Sequence, residues 1–272
     1  MRLQTFYCAL LSVLLLLCSA QGRADSAEQL FARFEPSLLQ VRVLERASGA
    51  KAAIGTGFAL ADPALVVTNY HVVSEAVLAP EKFQLEYLNS AQQKGALQVL
   101  AVDVINDLAL VSTDYRAPHP FQIQLQKPVQ GATIYSLGNP HDLGMILVPG
   151  TYNGLQKYSF YPRIHFTGAV NSGMSGGPAV DANGQIVGVN VASAGNQLGF
   201  LVPAEALQRL LARFQQEGQS KDLRADIERQ LLASQQSMFS QILNADWKLK
   251  DFGIGKVPDE VVPFVRCWGE SN

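Results

Sequence analysis

The sequence predicts an all-β fold, a sandwich or a pair of barrels, with helices only at its ends, and three observations carry this. From the residues after Pro36 to about Pro203 the chain is a succession of short apolar runs with little helical periodicity. Gly, Pro, Asn and Asp separate those runs, as turns between strands require. The tetrapeptide "DANG", Asp181 to Gly184, lies between "GPAV" and "QIVGVNVA" and is a hairpin signal.

The elements follow in order. "MRLQTFYCALLSVLLLLCSAQGRADSAE" opens with Arg2, continues with an apolar run from Phe6 to Leu17 and ends in small and polar residues, the pattern of an export signal. The run is short for a membrane span. Cleavage after Ala20 or Ala24 leaves a small residue at the junction, and a signal peptide over residues 1–24 is the expectation. "SAEQLFARF" reads as a short amphipathic helix capped by Ser26 and ended by Pro36. The strand runs include "LLQVRVLE", "GTGFAL", "ALVVTN", "FQLEYL", "ALQVLAVDV", "LALVS", "FQIQL", "ATIYSLG", "ILVPGTY", "IHFTGA", "QIVGVNVA" and "GFLVP". After Pro203, "AEALQRLLARFQQEG" has apolar positions at helical spacing and stops at Gly218, and "KDLRADIERQLLASQQSMFSQIL" continues as a more polar helix. The last segment, from Asp246, is expected to be irregular. The division is therefore a leader over 1–24, a β domain over 25–205 and a helical extension over 206–272.

With 272 residues, 48% hydrophobic and 16% charged, the chain has ample material for a globular core. A formal charge of −2 and the absence of basic runs give no electrostatic case for nucleic acid. Of three cysteines, Cys8 and Cys18 leave with the leader and only Cys267 remains, so no intrachain disulfide is expected. An exported protein held by its core alone fits a bacterial periplasmic or secreted location, with no stable membrane insertion once the leader is cleaved.

Ser175 in "NSGMSGGPAV" is the candidate nucleophile. The string Gly173-Met174-Ser175-Gly176-Gly177 satisfies the G-x-S-x-G pattern of the α/β-hydrolase elbow, but those enzymes need a histidine after the serine. His71, His119, His141 and His165 all precede it. An activated serine needs a base in hydrogen-bond reach and a third group to orient that base. His71, in "VVTNYHVV", follows an apolar strand where the chain turns out of the sheet. Asp107, in "VINDLALVS", opens a strongly apolar strand, an awkward place for a carboxylate without a partner. These give the order His, Asp, Ser. The order Asp107, His141, Ser175 would suit a subtilisin-like enzyme, whose fold needs α/β segments that this interval lacks.

The blocks "GTGFAL", "VVTNYHVV", "NDLALV", "GNP", "NSGMSGGPAVDANGQIVGVN" and "LGFLVP" together resemble the chymotrypsin-fold serine proteases of the HtrA/Deg type, from about Ala27 to Leu210. The resemblance implies two six-stranded antiparallel β-barrels, with His71 and Asp107 from the first and Ser175 from the second. It implies a serine endopeptidase working through an acyl-enzyme, with Gly173 and Ser175 donating backbone N–H groups to the oxyanion. By the same resemblance Ala169, six before the nucleophile, lies at the base of the substrate pocket. Val170, Val189, Val191, Ala192 and Ser193 complete that pocket and the strand beside it.

Two departures accompany the resemblance. Met174 stands where the family commonly shows Asn or Asp, and a methionine cannot pair with an ammonium, so activation by a freshly cut N-terminus is not expected. HtrA proteins usually carry PDZ domains, whereas the residues after Pro203 read as helices and are too few for one. No metal-ligand spacing or P-loop occurs, so neither metal nor other cofactor is implied. The implied partners are unfolded or extended exported polypeptides as substrates, and a homo-oligomer or a docking protein through the C-terminal helices. The alternative function is an inactive peptide-binding or scaffold relative that uses the helical tail for a partner.

Overall fold

The computed structural model describes residues 26–60, 65–123, 126–193, 197–259 and 261–265. The expected leader and Cys267 lie outside the described residues. Helix α1 (Ala27–Phe34) starts at Ser26, whose hydroxyl accepts from the Gln29 N–H while the Gln29 side chain accepts from the Ser26 N–H. This reciprocal pair satisfies two amides that a helix start leaves unpaired. A 3-10 turn at Glu35–Ser37 then delivers the chain into the first strand.

Strands β1 (Leu38–Glu45), β2 (Lys51–Ala59), β3 (Leu65–Thr68), β4 (Phe83–Leu88), β5 (Lys94–Asp103) and β6 (Leu108–Ser112) close an antiparallel barrel in the order β1-β2-β3-β6-β5-β4. Helix α2 (Tyr70–Leu78) follows β3 and packs Val72, Val73 and Val77 on this barrel.

Strands β8 (Thr133–Gly138), β9 (Ile146–Leu155), β10 (Ile164–Thr167), β11 (Pro178–Val180), β12 (Gln185–Ser193) and β13 (Gly199–Pro203) form the second barrel. It closes because β11 pairs with both β8 and β12. Among its described residues, the run "FQIQL" joins neither barrel as an antiparallel member. It contributes a parallel bridge from Phe121 to Leu60 and the short β7 (Gln122–Ile123), laid parallel to the start of β12.

Between the barrels lies a shared apolar core that includes Phe58, Leu110, Phe121, Leu137 and Val189. Helix α1 seals one side of it, with Phe34 stacked on Phe121 at 4.4 Å. The hairpin turn at Gly184 (φ +78°) lies under that ring, and a Cβ there would come 2.1 Å from Phe34. Helix α3 (Ala204–Glu217) seals another side with Ala206, Leu207 and Leu210. The chain past Pro203 is thus partly core: full burial of a leucine contributes about 2 kcal/mol. Helix α4 (Leu223–Leu243), N-capped by Asp222, buries Ile227 against the first barrel. The terminal segment, expected to be irregular, contains a hairpin, β14 (Leu249–Phe252) with β15 (Gly255–Pro258). No described helix is long and apolar enough to cross a membrane.

Candidate active site

His71 sits in the first turn of α2, directly beyond β3. The run "VVTNYHVV" is rich in β-branched residues, yet the strand stops at Thr68 and Asn69 opens a helix. Asn69 makes no side-chain cap bond. Its amide instead donates to the Asp107 carbonyl at 2.7 Å, which ties the two segments together.

Asp107 occupies the turn between β5 and β6 at φ +63°, a left-handed conformation that Asp tolerates better than most side chains. Upstream, the Asp103 carboxylate accepts from the Asn106 N–H at 2.9 Å and from its side-chain amide at 2.8 Å, bending the chain into that conformation. The Asp107 carboxylate then grips His71 twice. One oxygen lies 2.6 Å from Nδ1 and the other accepts the His71 backbone N–H at 2.8 Å. A carboxylate there selects the tautomer with its proton on Nδ1 and leaves Nε2 to accept a proton. The imidazole is about half exposed, so Nε2 can meet a substrate. Burial, and then the Asp107 charge, raise the neighbouring Tyr70 phenol above its ordinary pKa.

Ser175 is half-buried in a turn whose glycines are forced by backbone contact. Gly173 (φ +93°) and Gly176 (φ +85°) adopt conformations that L side chains rarely enter. A Cβ on Gly173 would lie 2.3 Å from the Asn139 carbonyl, and one on Gly176 would lie 2.3 Å from the Thr56 carbonyl and 2.8 Å from the Asn69 backbone nitrogen. The nucleophile turn therefore packs on the first barrel beside the segment that carries His71.

Three polar side chains that the sequence reading did not single out hold this turn. The Thr56 N–H donates to the Ser175 carbonyl at 2.8 Å. The Thr56 hydroxyl, fully buried, donates to the Gly173 carbonyl at 2.7 Å and accepts the Asn139 N–H at 3.0 Å. Asn190, also fully buried, donates its amide to the Leu137 and Met174 carbonyls and accepts from the Ser136 hydroxyl. Asn139 accepts the Gly144 N–H and so shapes its own loop. The signals for them were polar residues inside apolar strands, "GTGF" and "VGVN", and the "GNP" turn.

The peptide between Ser172 and Gly173 has a fixed orientation. Its carbonyl accepts the His141 N–H at 2.9 Å, so in a trans peptide the Gly173 N–H points the opposite way. Among the described residues neither the Gly173 nor the Ser175 N–H donates to another backbone group. The loop bearing His141 is clasped to the first barrel by Asp142, whose carboxylate accepts from Gln40 of β1 and Lys51 of β2, each at 2.5 Å. Those two bonds hold the Asp142 carboxyl below its ordinary pKa.

Met174 is fully buried in the core of the second barrel with Ile134, Phe166 and Val170, so apolar burial anchors the turn where an acid would have needed a cation. His119 and His141 have exposed side chains, and His165 lies on β10 with its ring 6.5 Å from that of Phe200. Of the expected pocket residues, Ala169 is half-buried, whereas Val170 is buried in the second barrel and Val189 in the core between the barrels. Val191 packs against that inter-barrel core, Ser193 is exposed, and Ala192 pairs with Phe200 across β12 and β13. Val170 and Val189 thus face different cores. Phe166, absent from the expectation, is fully buried in the core of the second barrel. Its ring would lie within 2.5 Å of a Cβ placed on Gly150 or Gly168.

Residues 55–189 match the family described as Trypsin-like peptidase domain. Curated relatives include a probable periplasmic serine endoprotease DegP-like of Chlamydia trachomatis, 29% identical over 196 residues, covering 65% of this chain and 37% of that protein. The mitochondrial serine protease HTRA2 of Bos taurus is 28% identical over 193 residues, covering 65% of this chain and 41% of that protein. The chain thus spans well under half the length of these relatives. Among solved structures, the Rv3671c protease of M. tuberculosis superposes with a TM-score of 0.62 at 24% identity, covering 74% of this chain and 90% of that one. The serine endoprotease of Yersinia pestis gives 0.60 at 22% identity, over 72% and 68% respectively. With the double barrel described above, these matches show that residues 55–189 carry a trypsin-like peptidase domain and that the chain is similar to serine proteases of the HtrA/Deg type.

Proposed function

We propose that the protein is a serine endopeptidase that hydrolyses unfolded or extended exported polypeptides. The observation that carries this reading is the double grip of Asp107 on His71, which leaves Nε2 free to act as a base, beside a glycine-forced turn that presents Ser175. In this reading Nε2 takes the Ser175 hydroxyl proton as Oγ attacks the scissile carbonyl carbon. Gly173 and Ser175 N–H groups stabilise the oxyanion, a contribution of about 3 kcal/mol for each such donor. The C–N bond breaks as His71 returns its proton to the leaving amine, and water repeats the sequence on the acyl-enzyme. Asp107 orients the His71 ring and stabilises the imidazolium.

The substrate would add as a strand beside residues 191–193. That stretch pairs with β13 on one side, while β11 reaches only as far as Val189 on the other. Ala169, small and half-buried, would lie at the base of an apolar pocket that favours cleavage after small or medium aliphatic residues. A basic side chain there would be left without a counter-charge. Residues 1–24 would export the chain, in keeping with the periplasmic description of its Chlamydia relative. Digestion of an unfolded model protein, read by mass spectrometry, tests the reading. Cuts after Val, Ala, Ile or Leu that vanish in Ser175→Ala are expected, and a majority of cuts after Arg or Lys would refute the pocket.

A further inference from the structure

The first barrel has an open edge beside its catalytic acid. Strand β5 pairs with β4 only over Lys94–Leu97, while its β6 partner continues to Asp103. The β4-facing side of residues 100–104 thus has no strand neighbour among the described residues. Side chains and backbone from beyond residue 212 occupy it instead. The Ser220 N–H donates to the Leu100 carbonyl at 2.9 Å. Gln230 of α4 donates its amide to the Val102 carbonyl at 2.8 Å and accepts the Val104 N–H at 2.9 Å. Arg213 of α3 donates to the same Val102 carbonyl.

Leu100, Val102 and Val104 alternate along the chain, as the groups facing one edge of a strand must. The Gln230 amide, with one donor and one acceptor on the same peptide stretch, does what a neighbouring strand would do. One residue of that stretch, Asp103, builds the turn that sets Asp107 at φ +63°. The same helix reaches the loop between β9 and β10 of the second barrel, where Ser234 shares a hydrogen bond of 3.0 Å with the Tyr161 hydroxyl. Beyond the helix, Phe264 meets the Phe160 ring of that loop edge-on at 4.8 Å. Tyr161 leads through Arg163 into β10, where burial lowers the Arg163 guanidinium from its ordinary pKa and the Asp107 and Asp103 carboxylates oppose that shift.

We propose that α3 and α4 form an intramolecular brace which completes the open edge of β5, and that Gln230 is a positioning residue that holds the Asp107 turn in register with His71. The proposal rests on the peptidase reading for its catalytic consequence, but its structural content is independent of it. The tail then serves the active site of its own chain, in a molecule whose helices had suggested docking to another.

The test uses the full chain and two readings: the second-order rate of reaction with a fluorophosphonate, and the low-field proton NMR signal of the His71 Nδ1–H held by Asp107. Gln230→Ala removes both bonds, and its rate should fall roughly tenfold with thermal unfolding still cooperative, the scale expected when a reacting group is slightly misplaced. The low-field signal should broaden or disappear. Gln230→Glu keeps the acceptor for Val104 and should fall between the two. An unchanged rate and an unchanged signal in Gln230→Ala would overturn the proposal, and Gln230→Glu decides by the same readings if the alanine variant does not fold. A wild-type chain that shows the signal but does not react would count against the peptidase reading alone, leaving the brace to be judged on the signal.

Discussion

Replacing Thr56 by valine removes one hydroxyl from the site at nearly constant shape. Thr56 is fully buried, and its hydroxyl is the partner of both the Gly173 carbonyl at 2.7 Å and the Asn139 N–H at 3.0 Å. Each buried partner orphaned costs about 1–3 kcal/mol, so the native turn should lose about 2–6 kcal/mol. A domain near the middle of the ordinary range of about 5–15 kcal/mol remains folded after that loss. The segment Asn139–His141, whose His141 N–H fixes the Ser172–Gly173 peptide, then loses its tether at Asn139, which misaims the Gly173 N–H. Loss of one oxyanion donor typically lowers turnover by about 10²–10³. The assay is the acylation rate with an activated ester, beside urea unfolding of the same sample. Thr56→Val should acylate at least about tenfold more slowly with little change in KM, and Thr56→Ser, which keeps the hydroxyl, should stay within about threefold. Equal rates for Thr56→Val and wild type would refute the hydroxyl's part in setting the oxyanion turn.

The Asp142 clasp predicts a pH dependence. Its carboxyl lies below the usual 3.8 in the folded state, so its stabilisation is present above that value and is lost as pH falls through the lowered one. Urea midpoints of wild type should exceed those of Asp142→Asn above pH 3.8 and converge with them in stronger acid, whereas a constant gap through the acid range would contradict the assignment. His141 serves the site through its backbone N–H, so His141→Ala should retain most activity while His71→Ala abolishes it. Comparable losses in peptide hydrolysis would mean that the base is misassigned.

How much of this was legible depends on how local each role is. The His, Asp and Ser strings and the glycines around Ser175 could be read because the chemistry demands particular residue types within a few positions. The alternation of short apolar runs likewise foretold the strands of both barrels. Helix α2 was hidden because "YHVV" carries strand-favouring side chains, and only the turn at Asn69 diverts it. Thr56 and Asn190 were hidden because their partners lie far away in sequence, at Gly173 for one and at Ser136 and Leu137 for the other. The pocket was only partly legible. Register shifts between Ala179 and Val180 and between Asn190 and Ala192 break the period-2 reading of β12, and Val189 turns to the inter-barrel core. The hairpin near the C-terminus joins short, exposed strands with no apolar alternation to announce them.

The central claim is that His71, held by Asp107, activates Ser175. Its most direct measurement is the mass of the intact protein after exposure to a fluorophosphonate, with the modified residue located by fragmentation. The account predicts one adduct per chain, on Ser175, absent from His71→Ala and Ser175→Ala. No adduct on a folded wild-type chain, under conditions in which a known serine protease is fully labelled, would contradict it and favour a peptide-binding protein that keeps the barrels without the chemistry.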